Sequence, residues 1–564
     1  MDSACEEVLD VLVLGSGWSG LMTCKYALEE RLNVRVLEKR DDIGGVWKYS
    51  DDPSLTTVMK SSSTSSSSTL TEISDFPMPE EIGEFPKHWD IYNYLNNYAD
   101  KHSLRQHIRF NCSVKSMSKS GNVWDVLTNL DTKYRARNVV ICTGVHEKAN
   151  RSMEQAYFKN YTGELLHSGN IKSFIEGHKE KRIMVVGGGE TASDILDEYY
   201  GNVARIIWCI PRGQHFFRKY AKILPHRKPQ ALDKASSRAL KLIAPHVKSK
   251  PGLAWVCKWT TNGSLTAYQG HGIPEFRNDA SFLHAFINKH AHALDYIDYE
   301  NVIPKGAIEF AKEKKVYFQD GSSCEIDVII QCTGYDATFP FLPPAYNKMV
   351  LTDLYKFVYP VLDPSLAFVG YVRPIVGSIP GIAEMQARWV CRVISGRVDL
   401  PSSNERTKVF KKDQLFWSGY FKNTSRRIGT LVEGYTYLDQ IAKLSNCYPD
   451  YWALFKNNPK AWFTAYFAPY NGCSFLLNDS NKRDESIETL SRHSRDTITA
   501  FNLITIILCR LFMFDWFCDV LGTIKYQIQI NKMWHKMRTW KIIRLLDYAW
   551  CTPKRYLFDN KTRT

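Results

Sequence analysis

The chain has no CxxC pair among its 14 cysteines and no His/Cys group at the spacing of a zinc site, so nothing in it reads as a metal centre. The cysteines fall singly, and several, such as Cys142 and Cys332, sit in apolar strand-like runs where they read as small buried thiols of a reducing compartment. The acidic start Met-Asp-Ser-Ala-Cys-Glu-Glu lacks the charged n-region expected of a signal peptide. Long apolar runs are scarce as well. Thr497 to Cys509 gives 13 uncharged residues before Arg510, Asp515 and Asp519, short of the ~20 that cross a bilayer. No serine or cysteine elbow, no recognisable pair of catalytic carboxylates and no nucleic-acid module is present.

What is present suits a folded protein of several domains: 564 residues, 44% hydrophobic and 23% charged. The net charge of +14 is unevenly spread. From Lys525 to Thr564 ten Lys and Arg face two Asp, which places +8 of the +14 in the last 40 residues. Together with the Trp, Met, Ile and Leu of that stretch, this predicts either an amphipathic surface for an anionic membrane or a helical extension packed on the body or a partner.

Val11-Leu12-Val13-Leu14 leads into Gly15-Ser16-Gly17-Trp18-Ser19-Gly20 and a helical pattern to Leu32. That is GxGxxG in the strand-turn-helix context that gives the motif its meaning: Gly15 makes the turn, Gly17 admits a pyrophosphate, and Gly20 lets helix pack on strand. The next strand, Val34 to Leu37, ends in Glu38, a carboxylate placed for the hydroxyls of an unphosphorylated ribose. The pattern returns at Ile183 to Val186 with Gly187-Gly188-Gly189-Glu190-Thr191-Ala192, where Ala192 takes the third small position. Its second strand ends in Pro211-Arg212 with no acid, so Arg212 is placed for a 2′-phosphate and the ligand reads as NADPH rather than NADH. Glu190 and Thr191 either touch this cofactor or cap its helix. Two more apolar strands end in Thr-Gly, at Thr143-Gly144 and Thr333-Gly334, where glycine permits close approach to a cofactor.

Further segments stand in order beside these fingerprints: Gly44-Gly45-Val46-Trp47, Ser74-Asp75-Phe76-Pro77-Met78-Pro79, Cys332-Thr333-Gly334-Tyr335 and Gly381-Ile382-Ala383-Glu384-Met385-Gln386-Ala387-Arg388-Trp389. With them the chain, over about residues 8 to 480, resembles the flavin-containing monooxygenases, a branch of the class B flavoprotein monooxygenases. The family's motif FxGxxxHxxx(Y/F) is matched by Tyr161 to Ile171, with Gly163 and His167 in place, Tyr161 for Phe, and Ile171 for the last aromatic. The Trp-Pro that follows the histidine in the related Baeyer–Villiger enzymes is missing, which favours heteroatom oxygenation over insertion into ketones.

The resemblance implies an α/β fold of two Rossmann-like dinucleotide-binding domains. An FAD domain is expected at 1–179 and 326–490, with an NADPH domain inserted at 180–325 and an apolar, basic helical extension at 491–564. It implies FAD and NADPH as cofactors and oxygenation of a nucleophilic amine or sulfide by O2 through a C4a-hydroperoxyflavin. His167 is given a positioning role at the domain junction. The family's asparagine over the flavin falls on Ser65, within Lys60 to Thr69, where nine of ten residues are Ser or Thr. The same run also reads as a low-complexity flexible loop. Trp47 packs beside the flavin or in the core, and Trp389 in the core. Two other readings stand beside the monooxygenase: an uncoupled NADPH oxidase releasing hydrogen peroxide, motivated by Ser65 and Ile171, and a nucleotide-binding scaffold without turnover. A disulfide reductase would need a redox cysteine pair after Gly45 or Ala192, and none is there. By resemblance the place in the cell is the cytosolic face of the endoplasmic reticulum, or else the cytoplasm. The partners are the small molecule and O2, with a membrane surface and a second copy of the chain left open.

Overall fold

A computed structural model describes residues 7–221, 230–238, 273–278, 284–346, 349–421 and 429–493. The apolar strand Val8–Leu14 is buried on both faces, as befits the centre of a parallel sheet. It pairs in parallel with Val34–Leu37 on one side and Lys133–Ile141 on the other, so that Leu14 lies level with both Leu37 and Ile141. The antiparallel strands Val114–Ser120 and Val123–Thr128 extend the sheet beyond Lys133–Ile141. The strand Leu366–Phe368 also pairs with Lys133–Ile141, in parallel, and so brings the chain back to its first sheet. Helix Trp18–Glu29 packs against helix Ile379–Ile394, and Tyr26 donates to Glu384 across that contact at 2.8 Å. Trp389 is fully buried in the same core, as expected.

The second sheet is parallel throughout, in the order Val302–Lys305, Arg205–Cys209, Arg182–Val186, Val328–Gln331, Glu164–His167. The last two strands of that order, Val328–Gln331 and Glu164–His167, lie beyond the 180–325 expected for the inserted domain. The reason is pairing: Glu164–His167 hydrogen-bonds along Val328–Gln331 with His167 opposite Gln331, so the histidine motif is itself part of the second sheet. An antiparallel ribbon of Ile308–Glu313, Lys315–Phe318 and Ser323–Glu325 takes in Asn160–Tyr161 as a further strand.

After the return to the first sheet the chain is largely helical, closing with Tyr451–Asn457, Pro459–Phe467 and Arg483–His493. The extension expected at 491–564 lies outside the described residues apart from the end of that last helix. Among the described residues no helix is long and apolar enough to cross a membrane.

Candidate functional site

The glycines of the first fingerprint are there for steric reasons that can be measured. Gly15 has φ +100°, and a Cβ on it would lie 2.7 Å from the carbonyl oxygen of Cys142. A Cβ on Gly20 would lie 1.8 Å from the carbonyl oxygen of Gly15. Gly17 meets the backbone of Gly45, 3.5 Å from where its Cβ would be, so the Gly44-Gly45 turn is laid directly on the fingerprint. Helix Trp18–Glu29 starts with no capping side chain and no acid in its first turn. Its first N–H groups therefore remain available to an anion, the arrangement that suits a pyrophosphate. Glu38 stands at the end of the next strand as expected, buried, accepting from the backbone N–H of Ser16 at 2.7 Å and of Arg40 at 2.9 Å. Trp47 is half-buried against the first core.

The second fingerprint repeats the first. Gly187 has φ +133°, and its Cβ would lie 2.4 Å from the carbonyl oxygen of Cys332. A Cβ on Gly189 would meet open space, and Ala192 is fully buried where helix Glu190–Tyr199 meets its strand. Arg212 is exposed in the turn after Arg205–Cys209, past the C-terminal end of that strand. In both halves the first glycine thus sits on the carbonyl of the cysteine that precedes a Thr-Gly.

Those two Thr-Gly ends are held by different partners. Thr143 shares a hydrogen bond of 2.9 Å with the Tyr371 hydroxyl, and Thr333 donates to the carbonyl of Asn150 at 2.6 Å. His167 is fully buried. Its Nδ1 accepts from the Gly169 N–H at 3.1 Å, which puts the ring proton on Nε2, and Nε2 donates to the Gly334 carbonyl at 3.0 Å. The Tyr335 ring lies edge-on to both His167 (5.1 Å) and His146 (5.2 Å). His167 therefore ties the end of its own strand to Gly334, just past the neighbouring strand Val328–Gln331.

The Ser/Thr run is a hydrogen-bonded strip rather than a loose loop. Ser62 donates to Asp194 at 3.1 Å, Lys219 donates to Ser63 at 3.0 Å, Thr64 N–H reaches the Pro86 carbonyl at 2.9 Å, and Ser67 N–H reaches Asp233 at 2.7 Å. Ser65, between these ties, is half-buried. Ile171, which replaces the motif's last aromatic, is buried in the core of the second sheet beside Met59.

Two residues outside every motif join the site. Arg373 follows the Gly370 turn, which rests on Ser19 at the start of the first nucleotide helix. Its guanidinium reaches the His146 ring at 3.4 Å. Burial, then the nearby Arg373 charge, pushes His146 down to about 3, so it is neutral at any working pH. The only sequence signal for His146 was its place two residues past Gly144.

Two sheets, each with a glycine cradle at the end of a strand in parallel pairing, define the class of two-dinucleotide proteins. The family described as flavin-binding monooxygenase-like matches residues 9–498, and the chain belongs to it. Human flavin-containing monooxygenase 2 is 29% identical over 487 residues, covering 83% of this chain and 88% of that protein. The chimpanzee dimethylaniline monooxygenase (N-oxide-forming) 2 gives the same figures, 29% over 487 residues with 83% and 88% covered. Among solved structures, S-allyl-L-cysteine S-oxygenase from Allium sativum superposes with a TM-score of 0.55 at 20% identity, over 86% of this chain and 99% of that one. An NADP-bound steroid monooxygenase gives 0.56 at 16%, over 78% and 98%.

Proposed function

We propose that this enzyme, an FAD-dependent monooxygenase that takes its electrons from NADPH, passes one atom of O2 to a nucleophilic nitrogen or sulfur of a small molecule through a C4a-hydroperoxide of the flavin. The second oxygen atom leaves as water, and NADPH ends as NADP⁺. The flavin supplies the oxygen chemistry, while the protein binds, orients and keeps water out. FAD is assigned to the cradle of Gly15, Gly17, Gly20, Glu38 and Gly45, with Trp47, Thr143 and Gly144 beside it. NADPH is assigned to Gly187, Gly189, Ala192 and Arg212, with Thr333 and Gly334 at the meeting of the two. The domains follow the sheets: an NADPH domain from strand Asn160–Tyr161 to strand Val328–Gln331, set within an FAD domain.

The observation that carries this reading is the repeated packing of Gly15 on Cys142 and Gly187 on Cys332, with the Gly334 carbonyl accepting both from His167 in its own sheet and from the N–H of Asn150, six residues past Gly144. It supports a reading in which two dinucleotide sites meet at one junction. The test is the yield of sulfoxide from thioanisole per NADPH consumed, with peroxide measured in parallel. A yield near one supports oxygenation. Stoichiometric peroxide with no sulfoxide identifies an oxidase, and no NADPH consumption identifies a scaffold.

Two expected outcomes belong here. Arg212→Ala raises KM for NADPH by about tenfold or more and leaves KM for NADH nearly unchanged, because a charge-assisted bond to the 2′-phosphate is what it removes. Ser65→Asn lowers the peroxide released per NADPH several-fold, since the longer amide restores a donor over the flavin. An unchanged peroxide fraction would separate Ser65 from oxygen control.

The stretch 491–564 is assigned to the surface of an anionic membrane on the cytosolic face of the endoplasmic reticulum, on the strength of the basic excess in the last 40 residues. Flotation with phosphatidylserine vesicles, lost on truncation after His493, tests it.

A further inference from the structure

The helical end of the chain carries rings that its own core does not use. Helices Tyr451–Asn457 and Pro459–Phe467 meet at Asn458 and pack on each other. Their inner side is closed: Ala461, Thr464 and Ala465 are buried, and Ala465 and Leu454 share a small core with Leu490 of helix Arg483–His493. The other side is open, with Trp452 65% exposed, Phe455 42% and Phe463 43%. These rings form one surface. Trp452 stacks on Phe455 with centroids 5.9 Å apart, Phe455 stands edge-on to Trp462 at 5.1 Å, Trp462 to Phe467 at 6.4 Å, and Phe467 stacks on Phe463 at 4.6 Å. A helix side that faces water is ordinarily polar, and a continuous apolar patch on it marks a place of contact.

Within these two helices the charge has one sign. From Tyr451 to Phe467 the chain contains Lys456 and Lys460 and no acid. Both lysines are exposed, one on each side of Asn458, and the Lys456 ammonium lies 5.0 Å from the centre of the Trp452 ring. Asp450, just ahead, is occupied as the helix cap, accepting from the N–H groups of Trp452 at 3.1 Å and Ala453 at 2.9 Å. On the neighbouring stretch Asp484, Glu485 and Glu488 balance Lys482, Arg483 and Arg492, so it adds no net charge. Exposed Trp and Phe bordered by lysine suit the boundary between lipid headgroups and acyl chains, where the rings enter and the ammonium groups stay with the phosphates. Other occupants meet a like charge. A second copy docked about a two-fold axis would set the same two lysines against themselves, and the last 40 residues of the chain bring +8 of their own. Continuity points to lipid as well, because helix Arg483–His493, which packs on Pro459–Phe467, leads into the basic stretch already assigned to a membrane.

We propose that the ring face of these two helices is a membrane contact in its own right, laying the folded body on an anionic lipid surface with Trp452, Phe455 and Phe463 in the interface and Lys456 and Lys460 on the headgroups. It goes beyond the assignment of 491–564, since side chains of the body supply it. A tail alone would leave the body on a tether. With a second contact the body takes one orientation on the membrane.

The test is partition of the full-length holoenzyme onto sedimenting vesicles of phosphatidylcholine, with and without about one third phosphatidylserine. Trp452→Gln combined with Phe463→Gln is expected to weaken partition about tenfold or more. Lys456→Gln combined with Lys460→Gln should weaken it about tenfold on the phosphatidylserine vesicles and leave phosphatidylcholine unchanged, while the two Lys→Arg changes keep it. Flavin content and melting temperature should match the unaltered chain, because this face packs against nothing in the body. Partition that survives both glutamine pairs overturns the inference and leaves the tail as the anchor. A melting temperature several degrees lower in the Trp452/Phe463 variant, with partition kept, also overturns it and assigns the face to cover by residues 494–564. So does a dimer seen by light scattering without lipid and lost in that variant, which would make the occupant a second copy. An unaltered chain that does not partition at all removes this contact and the tail assignment together.

Discussion

Gly20→Ala yields a chain that cannot hold flavin. The added Cβ would stand 1.8 Å from the Gly15 carbonyl oxygen, a backbone atom held by the turn that Gly15 itself makes at φ +100°. No rotamer relieves that contact, so the helix must lift from the strand, at a cost of about 3 kcal/mol or more. Lifting it also disturbs the uncapped helix end to which the pyrophosphate is assigned. The control is internal. The equivalent position of the second fingerprint carries Ala192, fully buried. Ala192→Gly should therefore change NADPH binding little, and destabilise by roughly 1 kcal/mol through helix propensity. Flavin retained per chain after gel filtration, with the melting temperature of each variant, separates the two. Full flavin content in Gly20→Ala would mean that the cradle is built differently.

The same contrast shows how far sequence alone reached. Glycine spacing after an apolar strand specifies a turn and a close approach, and both cradles were legible because their chemistry is local. The limits of the second sheet were not. Strand Glu164–His167 has four residues, and what makes it a strand is Val328–Gln331, far away in the chain. Long-range partners also decide the Ser/Thr run: composition suggests a loose loop, whereas Asp194, Lys219 and Asp233 from three separate segments order it. Arg373 belongs to no motif, and only the fold brings it to His146. Gly381 to Trp389 and Ser74 to Pro79 were recognisable as family segments, yet their purpose was not readable until the packing showed a shared buried charge network.

That network gives the second large effect. Lys25, on the first nucleotide helix, is 2% exposed, with its ammonium 2.7 Å from Asp75 and 2.8 Å from Glu29. Asp75 belongs to the Ser-Asp-Phe-Pro segment, and its neighbour Ser74 gives its backbone N–H to Glu384 at 3.1 Å. The cluster thus clamps the FAD helix to both family segments. Lys25→Met leaves Asp75 buried with only the weaker hold of Lys482, at 3.3 Å. Breaking a buried pair from one side costs about 3–5 kcal/mol, and Lys482 keeps the value near the lower end. Glu384→Gln is milder. Burial, then the charge of Asp75, already raises the Glu384 pKa, and an amide oxygen in the place of Oε1 still accepts from the hydroxyls of Tyr26 and Ser74, leaving the Ser74 N–H alone without its acceptor.

The pH dependence fixes the cause. Burial alone would raise Asp75, but the Lys25 charge and hydrogen bond, followed by Lys482, bring it down from 3.8 to about 2. A depressed carboxyl stabilises the fold above its unfolded pKa and loses that contribution as pH falls through the folded value. The gap between the native chain and Lys25→Met in urea unfolding should therefore be full at pH 6 and shrink between pH 4 and 2. A gap that is the same at pH 6 and pH 3 would assign the loss to the Lys25 ammonium over the Tyr26 ring, 3.9 Å from its centroid, rather than to its pair with Asp75.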